Sequence, residues 1–402
     1  NTLLIGLKTL FDFPYRCSYF QWCNRCLWLH YCDMIDDIAN IIPQLTHGLH
    51  KGQMGRIAVV GGSKEYTGAP YFSAISALYC GADLVHVVCS ASSSSVIKSY
   101  SPELIVHPVL DGVLAEATKC MDRVHAITFG PGLGLTENVE NTTKLIDYCK
   151  HSNKPIVIDA DALHIVTQNP SLIEGYDKTI LTPNTVEFSR LYYSVFSSQP
   201  YDTKDATRSL AEKLGVTIVH KGPTDIISNG QTNSDHALVR ARICLRLTRR
   251  KEDAVRKPLR VLFNDSQAKS IFQEQLRKQL GSHVGDAHPE AAWNDIQKAV
   301  EAAVISATVQ CVDQGSPRRC GGQGDVLSGT MSVFNYWFHQ INDNNPNLLF
   351  TATIGAAFAA CSLTRRCSQL AYTKYGRSMI TTQMLPEIHN AFEQLFAKTP
   401  NA

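Results

Sequence analysis

Short apolar runs that end in glycine and lead into helix-patterned stretches recur along this chain and leave little choice of architecture. The first is Arg56 to Val60, preceded by Lys51-Gly52-Gln53-Met54-Gly55 and opening into Gly61-Gly62-Ser63-Lys64-Glu65-Tyr66-Thr67-Gly68-Ala69-Pro70. Small and apolar residues at helical spacing follow from Tyr71 to Cys80, and Leu84 to Cys89 reads as a second strand. Strand, glycine loop, helix, strand is a βαβ unit, so the expected class is α/β. Val124 to Phe129 repeats the arrangement, ending in Gly130-Pro131-Gly132-Leu133-Gly134 ahead of a helix from about Glu137. Pro155 to Ile158 is a further strand closed by Asp159 and Asp161. Ile180 and Leu181 lead through Thr182-Pro183-Asn184 into a helix carrying Glu187, Phe188 and Arg190. Thr217 to His220 runs into Lys221-Gly222-Pro223-Thr224-Asp225. In open α/β sheets ligands bind at the carboxyl ends of strands, where these loops sit.

At 402 residues, 44% hydrophobic and 18% charged, the chain can build one large α/β domain or two smaller ones. A formal net charge of +2 gives no global pull toward nucleic acid or an anionic membrane, and neither is expected as a partner. Apolar windows such as Thr351 to Leu363 fall short of a spanning helix. Thirteen cysteines without framework spacing suit reduced thiols, so a cytoplasmic setting is expected. The chain begins at Asn1, which leaves a mitochondrial pool open. Residues 1–34 carry Cys17, Cys23, Cys26 and Cys32 among aromatics. Cys23 and Cys26 form half of a zinc-type spacing without a partner pair, so an aromatic-rich extension is the favoured description.

Chemistry concentrates in Gly315-Ser316-Pro317-Arg318-Arg319-Cys320-Gly321-Gly322-Gln323-Gly324-Asp325, just ahead of the apolar run Val326 to Phe338. Glycines let backbone N–H groups converge without a Cβ in the way. A helix opening there adds unpaired N–H groups and its positive dipole end, which together form an anion cradle. Asp325 at its lip is placed to take a proton from an attacking hydroxyl. The plain alternative is a glycine-rich turn with Asp325 as N-cap. Lys221, at a strand end before Gly222, suits a nucleotide phosphate as a mobile point charge, or is a solvated turn lysine. Asp159 and Asp161 suit magnesium held through water, or one of them caps a helix. Asn184 is a natural N-cap, and its amide and Arg190 are also placed to face the crevice.

These residues fall in an order, KGQMGRIAVVGGSKEYTGAPYFSAISAL, SPELIVHPVL, FGPGLG, PIVIDADALHIV, LTPNTVEFSRLY, VHKGPTDIISNG, GSPRRCGGQGDVLSG, ACSLTRRC, GRSMITTQM, that resembles the ATP-dependent (S)-NAD(P)H-hydrate dehydratases of eukaryotes. The likeness runs from about Asp36 to Ala397 with one gap. It implies a three-layer, doubly wound, mainly parallel sheet of the ribokinase-like type. It implies removal of water from (6S)-NADHX and (6S)-NADPHX, a repair of nicotinamide nucleotides, with ATP and magnesium as cofactors. In that family the ring hydroxyl is phosphorylated and phosphate is then expelled. Asp325 would be the base, with Gly322 and Gly324 in the cradle. Lys221, Gly222, Pro223, Thr224 and Asp225, with Gly315 to Gly324, would hold ATP. Gly134, Asn184, Thr185, Val186, Glu187, Phe188, Ser189, Arg190 and Asp325 would contact the hydrate. A small-molecule kinase with a stable phosphorylated product and a disabled nucleotide-binding module stay open as alternatives, as does a homo-oligomer.

Residues 231–310 break the pattern. Nine basic residues fall between Arg240 and Arg260 against Glu252 and Asp253, and Ser270 to Leu280 and Ala291 to Val309 have helical periodicity. Without aromatic interleaving the basic run reads as a solvated helical face rather than a nucleic-acid or lipid surface. Where the family has a short strand-turn connection, this chain has an Arg-rich helical insertion. The expected organisation is an extension over 1–34, a catalytic domain over 35–230 and 311–402, and an insertion over 231–310.

Overall fold

The computed structural model describes residues 34–230, 308–311, 315–342 and 350–397. Its strands are β1 (Arg56–Val60), β2 (Leu84–Cys89), β3 (Ile105–Pro108), β4 (Ala126–Phe129), β5 (Ile156–Ile158), β6 (Thr179–Leu181), β7 (Thr217–His220), β8 (Asp225–Ser228) and β9 (Thr308–Cys311). They form one sheet in the order β3-β2-β1-β4-β5-β6-β7-β8-β9. Pairing is parallel from β3 through β7; β8 then runs antiparallel to β7, and β9 antiparallel to β8. After an N-terminal helix over 34–41, the helices are α1 (Gly68–Cys80), α2 (Ala91–Tyr100), α3 (Leu114–Asp122), α4 (Val139–His151), α5 (Ala160–Gln168), α6 (Thr185–Phe196), α7 (Thr203–Leu214), α8 (Gln323–Asn342), α9 (Ala352–Tyr375) and α10 (Glu387–Phe396).

The central strands are short, β-branched and buried on both faces, as a sheet covered by helices requires. Alternate residues point to opposite sides. Val59, Val87, Val157, Ile180 and Val219 enter one core with α1, α8, α9 and α10. Val60, Val88, Ile127, Ile158, Leu181 and Ile218 enter the other with α3 to α7. The result is the three-layer, mainly parallel α/β fold expected from the sequence. The chain builds outward from β1 to β3, then returns to lay β4 on the opposite side of β1. This reversal opens a crevice at the carboxyl ends of β1 and β4. Two glycines let the loops there close on each other. A Cβ on Gly61 would lie 2.1 Å from the Pro131 carbonyl oxygen, and one on Gly130 (φ 120°) would lie 1.8 Å from that of Asp159.

Three sequence expectations shift. Residues 308–309, taken as the end of a helix, and 308–310, taken as insertion, belong to β9. Here Thr308 pairs with Ser228 and Cys311 with Asp225. A four-residue strand is too short to display its own period beside an adjoining helical pattern. The rest of the two expected insertion helices and the Cys23/Cys26 pair lie outside the described residues. The helix expected over Leu349 to Thr364 runs instead to Tyr375, where Gly376 (φ 55°) ends it. The one expected from Ser378 starts only after Pro386, because proline lacks the N–H a helix interior needs; two 3₁₀ turns, Gly376–Ser378 and Thr381–Gln383, come first.

Candidate active site

Helix α8 brings the glycine stretch to the carboxyl edge of the sheet. Thr128 Oγ1, on β4, donates to the Ser328 carbonyl at 3.1 Å. Ser76 Oγ, on α1, donates to the Val326 carbonyl at 3.3 Å. Gly329 lets α1 and α8 touch, since a Cβ there would stand 2.0 Å from the Ser73 carbonyl oxygen. The Val326 N–H reaches the Gly322 carbonyl at 3.0 Å. The N–H groups of Gln323, Gly324 and Asp325 come before it, so the helix supplies them no acceptor. Gly322 has φ 92°, and its would-be Cβ meets Phe72 and Thr381 at 3.0 Å; beside Gly321 no atom lies within 4 Å. The loop ahead is fixed laterally. Thr381 Oγ1 donates to the Gly321 carbonyl at 2.5 Å, and Ser316 Oγ and Gln323 Nε2 donate to the Arg318 carbonyl at 2.8 and 3.2 Å. The outcome is an open-sided turn with N–H groups free of helical acceptors at a helix dipole's positive end.

Asp325 is the third residue of α8, so it lies inside the first turn and is not the N-cap. Next to it is an ion pair between a buried aspartate and a partly buried lysine. Asp159 follows β5 and is 2% exposed. Its Oδ1 accepts from Thr182 Oγ1 at 2.7 Å and from Lys221 Nζ at 2.8 Å. Lys221 follows β7, and its backbone N–H donates to the Pro183 carbonyl at 2.9 Å while it bridges to Asn184. A Cβ on Gly324 would lie 3.5 Å from Lys221 Nζ and 3.9 Å from Asp159 Oδ2. These are ordinary contact distances, so the first turn of α8 packs directly against the pair. Asp161 Oδ2 accepts from the Gly134 N–H at 2.9 Å.

Burial, and then the negative charge of Asp159, push the Asp325 carboxyl up to about 7; Lys221 pulls the other way and Asp161 adds a smaller push. Burial opposes the charge on Lys221, yet Asp159 and Glu187 hold its ammonium above the ordinary lysine value. Among the described residues no hydrogen bond engages the Asp325 carboxyl. A carboxylate whose proton leaves near neutral pH, unengaged and beside an anion cradle, is suited to general-base work.

The fold thus gathers Gly134, Lys221, Gly324 and Asp325. Several other expected residues have partners or exposures of their own. Lys221 is tethered rather than a mobile point charge. Asp159 and Asp161 are committed to Lys221, Thr182 and Gly134, and neither side chain caps α5. The Asn184 side chain is a cap: its Oδ1 accepts from the N–H groups of Val186 and Glu187, and Glu187 Oε2 accepts from the Asn184 N–H. Phe188 is buried and stacked on His220 with ring centroids 4.1 Å apart, so it is core. Ser189 Oγ donates to the Thr185 carbonyl, while Thr185, Val186 and Arg190 are exposed. Asp225 is buried against Arg365, and Pro223, Thr224, Pro317, Arg318 and Arg319 are exposed. Cys320 Sγ lies 3.4 Å from Thr381 Oγ1. Arg365 and Thr381 lie in two segments of the family likeness, ACSLTRRC and GRSMITTQM, but sequence reasoning gave neither residue a role. A charged residue within the Ala-rich stretch of α9 was a readable signal for the first; for the second the segment was marked but not the contact, which depends on the fold.

The family model described as NAD(P)H-hydrate dehydratase matches residues 57–237 and 296–390. The ATP-dependent (S)-NAD(P)H-hydrate dehydratase of Nematostella vectensis is 41% identical over 376 residues, covering 91% of this chain and 82% of that one. The Homo sapiens enzyme of the same name is 40% identical over 371 residues, covering 89% and 83%. Among solved structures, a ribokinase-like superfamily protein of Enterococcus faecalis superposes with a TM-score of 0.56 at 18% identity, covering 90% of this chain and 94% of that one. The Bacillus subtilis ADP/ATP-dependent NAD(P)H-hydrate dehydratase, co-crystallized with ATP/Mg2+, gives 0.54 at 16% identity, covering 89% and 96%. The structural likenesses establish the ribokinase-like fold, and the sequence matches establish the family: this chain belongs to the NAD(P)H-hydrate dehydratases.

Proposed function

We propose that this chain removes water from the (S) hydrates of NADH and NADPH at the expense of ATP. The observation that carries this reading is the Asp325 carboxyl, unengaged, pushed up to about 7, and set in the first turn of α8 over the Asp159–Lys221 pair. Its neighbours fit a nucleotide phosphate. The N–H groups of Gln323 and Gly324 lack helical acceptors, and Gly321 leaves open the space a side chain would fill. When bound, ATP supplies the phosphoryl group that makes the ring hydroxyl a leaving group.

In that step Asp325 accepts the proton of the ring hydroxyl. The N–H groups of the cradle and the Lys221 ammonium face the negative charge that develops as phosphoryl is transferred. Asp159 keeps that ammonium charged and fixed. Asp161 and Gly134 hold the opposite loop against the crevice. The described residues contain no group of three or more His, Cys, Asp or Glu able to hold a metal ion by themselves. Magnesium would enter with the nucleotide, whose phosphates supply the oxygen ligands it prefers.

We also infer that residues 231–307 are an insertion in the β8–β9 hairpin. Two observations support this. Ser228 and Thr308 are directly paired, and the family match is interrupted between 237 and 296. The function is tested by product analysis after incubation with the hydrate and ATP. Free phosphate and NAD(P)H in equal amounts are expected. A retained phosphoester would make the chain a kinase, and ATP binding without product would make it a nucleotide-binding module.

A further inference from the structure

The two segments assigned to the nucleotide, 221–225 and 315–324, are far apart in sequence, and the structure joins both to one stripe of α9. Arg365, 7% exposed, lies in the middle of that helix. Its Nε donates to Asp225 Oδ2 at 2.7 Å. Its two terminal nitrogens donate to the carbonyls of Pro223 and Gly222, each at 2.9 Å. Asp225 Oδ1 accepts in turn from the Gly222 N–H at 3.0 Å. One guanidinium therefore closes the Gly222–Asp225 turn from both ends. Ser362 and Ser368 flank Arg365 at helical spacing on the same face. Ser362 Oγ lies 3.5 Å from Cys311 Sγ on β9. Ser368 Oγ donates to Ser316 Oγ at 2.8 Å and accepts from the Ser316 N–H at 3.4 Å. A Cβ on Gly315 would lie 3.6 Å from Arg365 Cγ.

We infer that Arg365 is a positioning residue for the nucleotide. It sets the Gly222–Asp225 turn and keeps it in register with Gly315–Ser316, a role that rests on the ATP-dependent reading above. Stability alone does not account for such a group. A buried ion pair is often matched or bettered by apolar residues of similar volume. What the planar fork adds is fixed geometry toward three acceptors at once. Lys221, by contrast, is held independently of Arg365 by Asp159 and by the Pro183 carbonyl. Loosening the clamp thus releases the nucleotide side of the turn while the Asp325 side stays in place.

The experiment is Arg365→Lys, which keeps the charge beside Asp225 but cannot span both carbonyls. ATP and hydrate are varied separately in steady state, and nucleotide affinity is measured directly by displacement of a fluorescent ATP analogue. The folded variant should show Kd and KM for ATP raised about tenfold, the size of one charge-assisted hydrogen bond. Its hydrate KM, and its kcat at saturating ATP, should stay within about twofold of the parent. Unchanged ATP constants, or a hydrate KM rising in step, overturn the inference. If Arg365→Lys does not fold, Asp225→Asn is measured in the same way and must give the same ATP-selective loss. Failure of both to fold makes the pair purely structural and also overturns it. Should the parent bind ATP yet release no NADH from the hydrate, the dehydratase reading fails, while the displacement assay still judges Arg365.

Discussion

Asp325 and the Asp159–Lys221 pair make opposite demands on the folded chain. Asp325 keeps in the native state a proton that an unfolded aspartate loses above about pH 4, so this group lowers stability as pH rises from about 4 to 7. Asp325→Asn removes that penalty. Its gain over the parent in urea melts should be small at pH 4 and reach on the order of 4 kcal/mol at pH 8, while turnover falls by about 10²–10⁴-fold. A gain that shrinks with rising pH would contradict the raised value. The pair behaves differently. Lys221→Met leaves the buried Asp159 carboxylate uncompensated and should cost about 3–5 kcal/mol, and Asp159→Asn in the same chain should return much of it. Strict additivity of the two losses in the double variant would show that the two side chains are not coupled. Much of this was legible in the sequence: Gly324, Asp325, Lys221 and Asp159 each stand out beside glycine or at a strand end. Their mutual use was not, because the pairing of Asp159 with Lys221 depends on β5, β6 and β7 lying side by side.

At the scale of elements, α8 decides where Asp325 stands, and its glycines do unlike things. Gly329 is a contact glycine. Gly329→Ala drives a methyl into the Ser73 carbonyl and should lower stability by about 2–3 kcal/mol in chemical denaturation, with turnover falling as α8 shifts. Gly321 faces open space. Gly321→Ala should leave stability within about 0.5 kcal/mol of the parent and raise KM for ATP. An ATP KM untouched by Gly321→Ala would remove that turn from the nucleotide site. The parallel strands and their glycine loops were readable from apolar runs and turn residues. β9 was not, since a four-residue edge strand carries too little pattern. Nor was the use of Phe188, whose neighbours Asn184, Glu187 and Arg190 suggest a binding segment until its ring is seen against His220.

The described residues form a ribokinase-like sheet whose β8 and β9 are joined by residues 229–307. Ser228 opposite Thr308 brings the two ends of that segment together, so a short turn can replace it without moving either strand. Loop length itself matters little, since each doubling costs only about 0.6 kcal/mol. Replacing residues 231–306 with a turn should give a chain at least as stable in thermal melting and at least as active. Loss of folding or of ATP affinity would make the segment part of the catalytic domain. The family resemblance covered the site motif by motif, yet it did not show that Asp225 belongs to Arg365, because that contact is made by a helix 140 residues further on. The claim at the centre is that Asp325 activates the hydrate for ATP-driven loss of water. Its most direct measurement is the return of NADH absorbance from the (S) hydrate, with and without ATP, in the parent and in Asp325→Asn. Full ATP-dependent return in the parent and near-complete loss in the variant, with ATP affinity retained, is expected; return without ATP, or an Asn variant as fast as the parent, would contradict it.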